Sequence, residues 1–175
     1  MSSPRGALVI VDLIEDFVDP EGALSCGDAG LRAAERAGEH LKAWRAEGLP
    51  VFHVTDRHRP DDAEFRFWPP HAVEGTWGAR IHRSVTPAPG ELIVPKRRFS
   101  GFFGTDLDGL LRESDLHELS ICGVCTNICV LYTSVDAQMR GYDVSVLADA
   151  CASYDAQAHA FALRELRDTI KVHVL

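Results

Sequence analysis

Short apolar runs alternate along this chain with amphipathic stretches, and that alternation leaves few architectures open. Ala7-Leu-Val-Ile-Val11 is continuously apolar, as a strand buried on both faces must be. Val51–Thr55, Leu92–Pro95, Leu119–Gly123, Asp143–Leu147 and Ile170–Val174 read as five further strands. Between them, Leu31–Glu47 carries Leu31, Ala34, Leu41 and Trp44 at helical spacing, and Gly48 and Pro50 mark its end. Further helical patterns cover Asp106–Glu113, Thr126–Arg140 and Ala156–Arg167. Strands that alternate with helices imply a parallel sheet covered on both faces. The expected fold is α/β, a three-layer α/β/α sandwich around a six-stranded, mostly parallel sheet.

The chain has 175 residues, which predicts one domain over residues 1–175 with a core of its own. Lys and Arg total 18 against 26 Asp and Glu, a net charge of −8 that argues against nucleic acid or an anionic membrane as partner. No apolar run approaches the roughly 20 residues that span a bilayer. Met1–Gly6 does not lead into a long apolar signal segment, and the cysteines number five without a regular framework. A cytoplasmic protein with free thiols is expected. Cys26, Cys122 and Cys151 read as packing or surface residues.

In open α/β sheets ligands bind beyond the carboxyl ends of the strands. Asp12 follows the first strand and Lys96 the third, and Cys129 falls in the first turn of the helix that follows the fourth. Taken singly, each has a plain alternative: a capping carboxylate, a surface lysine beside Arg97 and Arg98, a small buried side chain. Together at one sheet edge they make a nucleophile, a charge stabiliser and an acid/base group. A helix N-terminus and an ammonium are expected to lower the Cys129 thiol pKa, a two-unit drop requiring about 2.7 kcal/mol. The backbone N–H groups of Cys125 and Cys129 would form an oxyanion hole.

The long irregular stretch from Asp56 to Glu91 carries a second group of residues. Asp56, His58, Glu64 and His71 offer two carboxylates and two imidazoles within sixteen positions. Such a set suits zinc, manganese or iron(II), with surface charge as the alternative reading. Phe17, Trp68, Phe99, Phe102 and Phe103 lie near the strand ends, where they serve either packing or a flat slot for a ring-shaped substrate.

These residues resemble the nicotinamidase group of the isochorismatase-like cysteine hydrolases. The resemblance rests on Val9-Ile-Val-Asp12 with Asp16-Phe17, on Asp56-Arg-His58, and on Trp68-Pro-Pro-His-Ala-Val-Glu-Gly-Thr76. Lys96, Gly123-Val-Cys-Thr-Asn-Ile-Cys-Val130, Asp136-Ala137 and Arg140-Gly-Tyr142 extend it over nearly the whole chain. It implies a Cys129–Lys96–Asp12 triad, a cis peptide between Val124 and Cys125, and a divalent metal, zinc first, on Asp56, His58 and His71 with Glu64 as an added ligand. It also implies a substrate slot at Phe17, Trp68, Phe99 and Val124, where Phe99 replaces a common tyrosine. The implied reaction turns nicotinamide into nicotinate and ammonia. The alternative is a related cysteine hydrolase of another small amide or N-carbamoyl compound, and the metal ligands favour the first. A homo-oligomer, dimer or tetramer, is expected.

Overall fold

The computed structural model describes residues 6–175. Six strands, β1 (Ala7–Val11), β2 (Val51–Asp56), β3 (Leu92–Lys96), β4 (Glu118–Val124), β5 (Asp143–Ala152) and β6 (His173–Val174), form one sheet in the order β3-β2-β1-β4-β5-β6. All five pairings are parallel. β1 and β2 are buried at every position, which explains their unbroken apolar runs, whereas β3 alternates toward solvent as an edge strand does.

The helices are α1 (Glu15–Val18), α2 (Gly27–Ala46), α3 (Leu107–Glu113), α4 (Leu131–Met139) and α5 (Ala156–Glu165). A π-helical turn, Thr126–Val130, leads into α4, and another, Leu166–Ile170, follows α5. From β1 the chain crosses through α2 toward β2 and β3. From β4 it crosses through α4 and α5 in the opposite direction, toward β5 and β6. Right-handed crossovers in opposite directions place helices on both faces and create a switch point between β1 and β4. Functional side chains are therefore expected at the carboxyl ends of those two strands and their neighbours.

The sixth strand is shorter than its apolar pattern suggests. Residues 166–170 are taken by the π-helical turn, and Lys171 turns the chain in the left-handed region at φ 67°. β5 runs to Ala152 instead of Leu147, because a register shift between Ile121 and Gly123 lets β4 and β5 pair again at Gly123–Cys151. Gly123 itself has φ 128°, and a Cβ there would lie 1.9 Å from the Val11 carbonyl oxygen. Only glycine lets β4 pass β1 this closely at the site's edge.

Candidate active site

Three strand ends deliver one buried charged cluster. The chain leaves β1 through Asp12, held at φ 54°, with its N–H on the Val54 carbonyl at 2.9 Å. Lys96 is the last residue of β3 and sits opposite Asp56 in the β2–β3 register. Lys96 Nζ lies 2.6 Å from Asp12 Oδ2, 2.6 Å from Asp56 Oδ1 and 3.4 Å from Cys129 Sγ. Asp12 Oδ1 also accepts the Asp56 N–H at 2.6 Å. The Asp12 and Asp56 carboxylates and the Cys129 sulfur lie within 4.8 Å of one another. Asp12 is fully buried and Lys96 is 1% exposed, so both act from beneath the cavity floor rather than from its wall.

Burial sets the protonation states. Desolvation works against the Lys96 charge, but Asp12 and Asp56 outweigh it and keep the ammonium well above its ordinary range. Burial and Asp56 push Asp12 up to about 6 against the opposing pull of Lys96. Burial also pushes the Cys129 thiol well up, with Lys96 opposing and the two carboxylates adding to the rise. This corrects the expected lowering of that thiol. The ammonium is shared with two carboxylates, so burial and those carboxylates outweigh its pull on the sulfur. The thiol sits beside the Asp12 carboxylate, which is placed to take its proton.

The Val124–Cys125 peptide bond is cis. The Cys125 N–H has no hydrogen-bond partner among the described residues. It stands at the entrance to the turn that holds Cys129, whose carbonyl end is closed by Val130 N–H on Cys125 O at 3.2 Å.

The expected metal ligands meet at the same edge. Asp56, His58 and His71 bring ligand atoms within 4.8 Å of one another, all buried. His58 Nε2 lies 3.7 Å and His71 Nε2 3.9 Å from Asp56 Oδ2. His71 Nδ1 is 2.8 Å from the Pro69 carbonyl, to which it donates, and its Nε2 is turned toward Asp56. The fully buried His58 has a carboxylate 3.2 Å from Nδ1 but none closer than 3.7 Å to Nε2, which makes no hydrogen bond. A buried nitrogen left open in this way calls for a partner. The charge count agrees, since two buried carboxylates face a single ammonium. The donor set therefore fits a divalent cation. Glu64 lines the same cavity but does not join the three within that distance, and its Oε2 lies 3.5 Å from Arg98 Nη1. Glu64 stands on the short 3₁₀ turn Ala63–Arg66, lining the same cavity as Asp56 and His71.

Two supporting carboxylates complete the site: Asp62, which the sequence did not single out, and Asp16, which it marked only beside Phe17. Asp62 Oδ2 faces His58 Nδ1 at 3.2 Å, and its other oxygen bonds Arg98 and the Glu64 N–H, each at 3.0 Å. Burial raises its pKa, but the Glu64 N–H, His58 and Arg98 outweigh that and bring it down to about 2. Asp16 accepts from the N–H of Ala72 at 2.7 Å and of Ala23 at 3.0 Å, tying the His71 loop to α1. A Cβ at Gly78 would fall 2.1 Å from the Asp16 carboxylate. The available signals were the i, i+4 spacing of His58 and Asp62 and the acid beside Phe17.

A narrow cavity of about 40 Å³, open at its mouth, lies over the sulfur. Phe17, Trp68 and Phe99 line it as expected, with Leu24, Ile128 and Tyr154 added. Val124 does not. It is fully buried under the cis peptide, so its place in the slot is corrected. Phe102 packs in the core at 5.8 Å from the Tyr142 ring, and Phe103 is exposed away from the cavity. Cys26, Cys122 and Cys151 are all buried, and none is disulfide-bonded.

A doubly wound parallel sheet with thiol, ammonium and carboxylate at its carboxyl edge defines a hydrolase of the isochorismatase-like class. The chain belongs to the isochorismatase family, whose domain matches residues 6–174. An uncharacterized isochorismatase family protein of Bacillus subtilis, PncA, is 36% identical over 97% of this chain and 98% of its own. The crystal structure of nicotinamidase/pyrazinamidase PncA from Bacillus subtilis superposes with a TM-score of 0.92 at 33% identity, covering 98% of this chain and 99% of that one. The pyrazinamidase of Pyrococcus horikoshii in complex with zinc gives 0.90 at 31% identity, covering 98% and 99%. No described helix is long and apolar enough to cross a membrane.

Proposed function

We propose that this protein hydrolyses small carboxamides through a Cys129 thioester, with nicotinamide, giving nicotinate and ammonia, as the preferred substrate. The observation that carries this reading is the convergence of Cys129 Sγ, Lys96 Nζ and the Asp12 carboxylate beneath one aromatic-walled cavity. The similarity to proteins named nicotinamidase supports the choice of amide.

The ring lies between Phe17, Trp68 and Phe99, with its carboxamide carbon over Sγ. Asp12 takes the thiol proton as the C–S bond forms. Its raised pKa of about 6 makes it a stronger base than a free aspartate and able to keep that proton through the tetrahedral stage. The Cys125 and Cys129 N–H groups receive the oxyanion. Asp12 then hands the proton to the departing nitrogen, and ammonia leaves a thioester on Cys129. Asp12 deprotonates a water, the hydroxide adds to the thioester carbon, and collapse releases the acid as the sulfur regains its proton. Lys96 stays charged throughout and keeps Asp12 in place.

Asp56, His58 and His71 would hold a divalent cation, zinc in this reading, which when bound supplies a Lewis-acid point for the ring nitrogen. Glu64 sits at the rim of that site, and Asp62 orients His58. Five unpaired thiols fit a cytoplasmic enzyme. The test is ammonia release from nicotinamide by the zinc-loaded protein, alongside a panel of ureido and N-carbamoyl compounds. Nicotinamide should be turned over with the highest kcat/KM, and turnover should vanish in Cys129→Ala with the fold retained. Preference for an N-carbamoyl compound would overturn the substrate assignment.

A further inference from the structure

Cys26 has no part in the hydrolysis described above, yet it stands against the cavity wall. Its sulfur lies 3.5 Å from the Cys125 sulfur, across 99 positions of sequence, and both thiols are buried and reduced. Cys26 caps the N-terminus of α2, and its own N–H bonds the Phe17 carbonyl at 2.9 Å. Cys125 lines the cavity and carries one of the two proposed oxyanion donors. A small oxidant entering the cleft therefore meets Cys125, with the Cys26 sulfur directly behind it, on the same wall region that presents Cys129.

We propose that Cys26 and Cys125 form a redox pair: a peroxide closes them into a disulfide that displaces the Cys125 turn and reversibly shuts the site. The two sulfurs differ in character. Their mutual sulfur–sulfur hydrogen bond, with the Tyr154 backbone N–H, lowers Cys26 against the effect of burial, whereas the same bond and burial raise Cys125. Taking Cys26 as the first to react, its sulfur attacks the peroxide O–O bond and becomes a sulfenic acid, while its thiol proton leaves on the other peroxide oxygen as water or an alcohol. The Cys125 sulfur then attacks the sulfenic sulfur, loses its proton and expels water. The two thiols together lose two electrons, and the peroxide gains them. A disulfide is about 2.0 Å long, so the sulfurs must approach by roughly 1.5 Å. That pull acts on the residue whose N–H must meet the oxyanion and, through Phe17 and Leu24, on the opposite wall.

The inhibition rests on the amidase reading, whereas the disulfide does not. Zinc-loaded protein is treated with hydrogen peroxide, digested without reduction and mapped by mass, and nicotinamide turnover is measured before and after dithiothreitol. The expected result is a linked Cys26–Cys125 peptide and a loss of turnover of about 10²-fold, the scale of one oxyanion donor, reversed by dithiothreitol. Cys26→Ser should keep its untreated turnover and lose the reversible component. No linked peptide, or an equal reversible loss in Cys26→Ser, overturns the redox pair. Untreated protein that does not hydrolyse nicotinamide overturns the amidase reading instead, and the linked peptide still reports on the cysteines.

Discussion

Replacing Lys96 by Met keeps the side-chain length and removes the charge that two buried carboxylates share. At an effective dielectric of about 20, each 2.6 Å contact is worth roughly 6 kcal/mol of gross attraction. Desolvation of three charged groups cancels much of this. Removing one partner still leaves the others uncompensated, and such losses run to about 3–5 kcal/mol. In a chain of this size that lowers the melting temperature by roughly 6–20 °C. The variant should also depend more strongly on zinc, because the cation is then the only positive charge beside Asp56. Thermal or urea unfolding of native and Lys96→Met protein, each with zinc and with a chelator, reads both effects. The chelated variant should fall by the full amount, and zinc should restore more stability to it than to the native protein. A chelated variant within about 1 kcal/mol of native, or one that gains no more from zinc, would refute the shared-charge account of the cluster.

Two other outcomes follow from the same geometry. Asp62→Ala removes the carboxylate 3.2 Å from His58 Nδ1, and zinc affinity measured by competition with a chromophoric chelator should drop about 10–100-fold; an unchanged affinity would separate Asp62 from the metal site. Glu91 is paired with Arg45 at 2.7 Å and His53 at 2.9 Å, and these partners with the Ala88 N–H outweigh burial and bring its pKa down to about 2. Because the folded pKa lies below the ordinary glutamate value of 4.5, its stabilisation is complete above that pH and drains as pH falls toward 2. Glu91→Gln should therefore flatten the acid-unfolding curve in that window, and an unaltered curve would assign the acid sensitivity elsewhere.

The sheet was legible because its strands are buried on both faces, so periodicity and composition coincide, as in Ala7–Val11 and Val51–Asp56. The meeting of Asp12, Lys96 and Cys129 was legible because a parallel sheet sends its strand ends to one edge. What escaped depends on packing alone. The sixth strand shrank because a left-handed residue at Lys171 ended the preceding helical turn late. The Cys129 thiol moved opposite to expectation because depth of burial, which no spacing encodes, outweighs one shared ammonium. Val124 left the slot because its side chain turns into the core. Asp62 and Asp16 work through backbone amides and a neighbouring imidazole, contacts that exist only once the loop is folded.

The thioester on Cys129 is the claim on which the rest depends. Zinc-loaded protein mixed with nicotinamide and quenched in acid during turnover should carry a nicotinoyl group on the peptide containing Cys129, absent when nicotinate replaces the amide. An unmodified Cys129 peptide, together with steady turnover by Cys129→Ala, would contradict it.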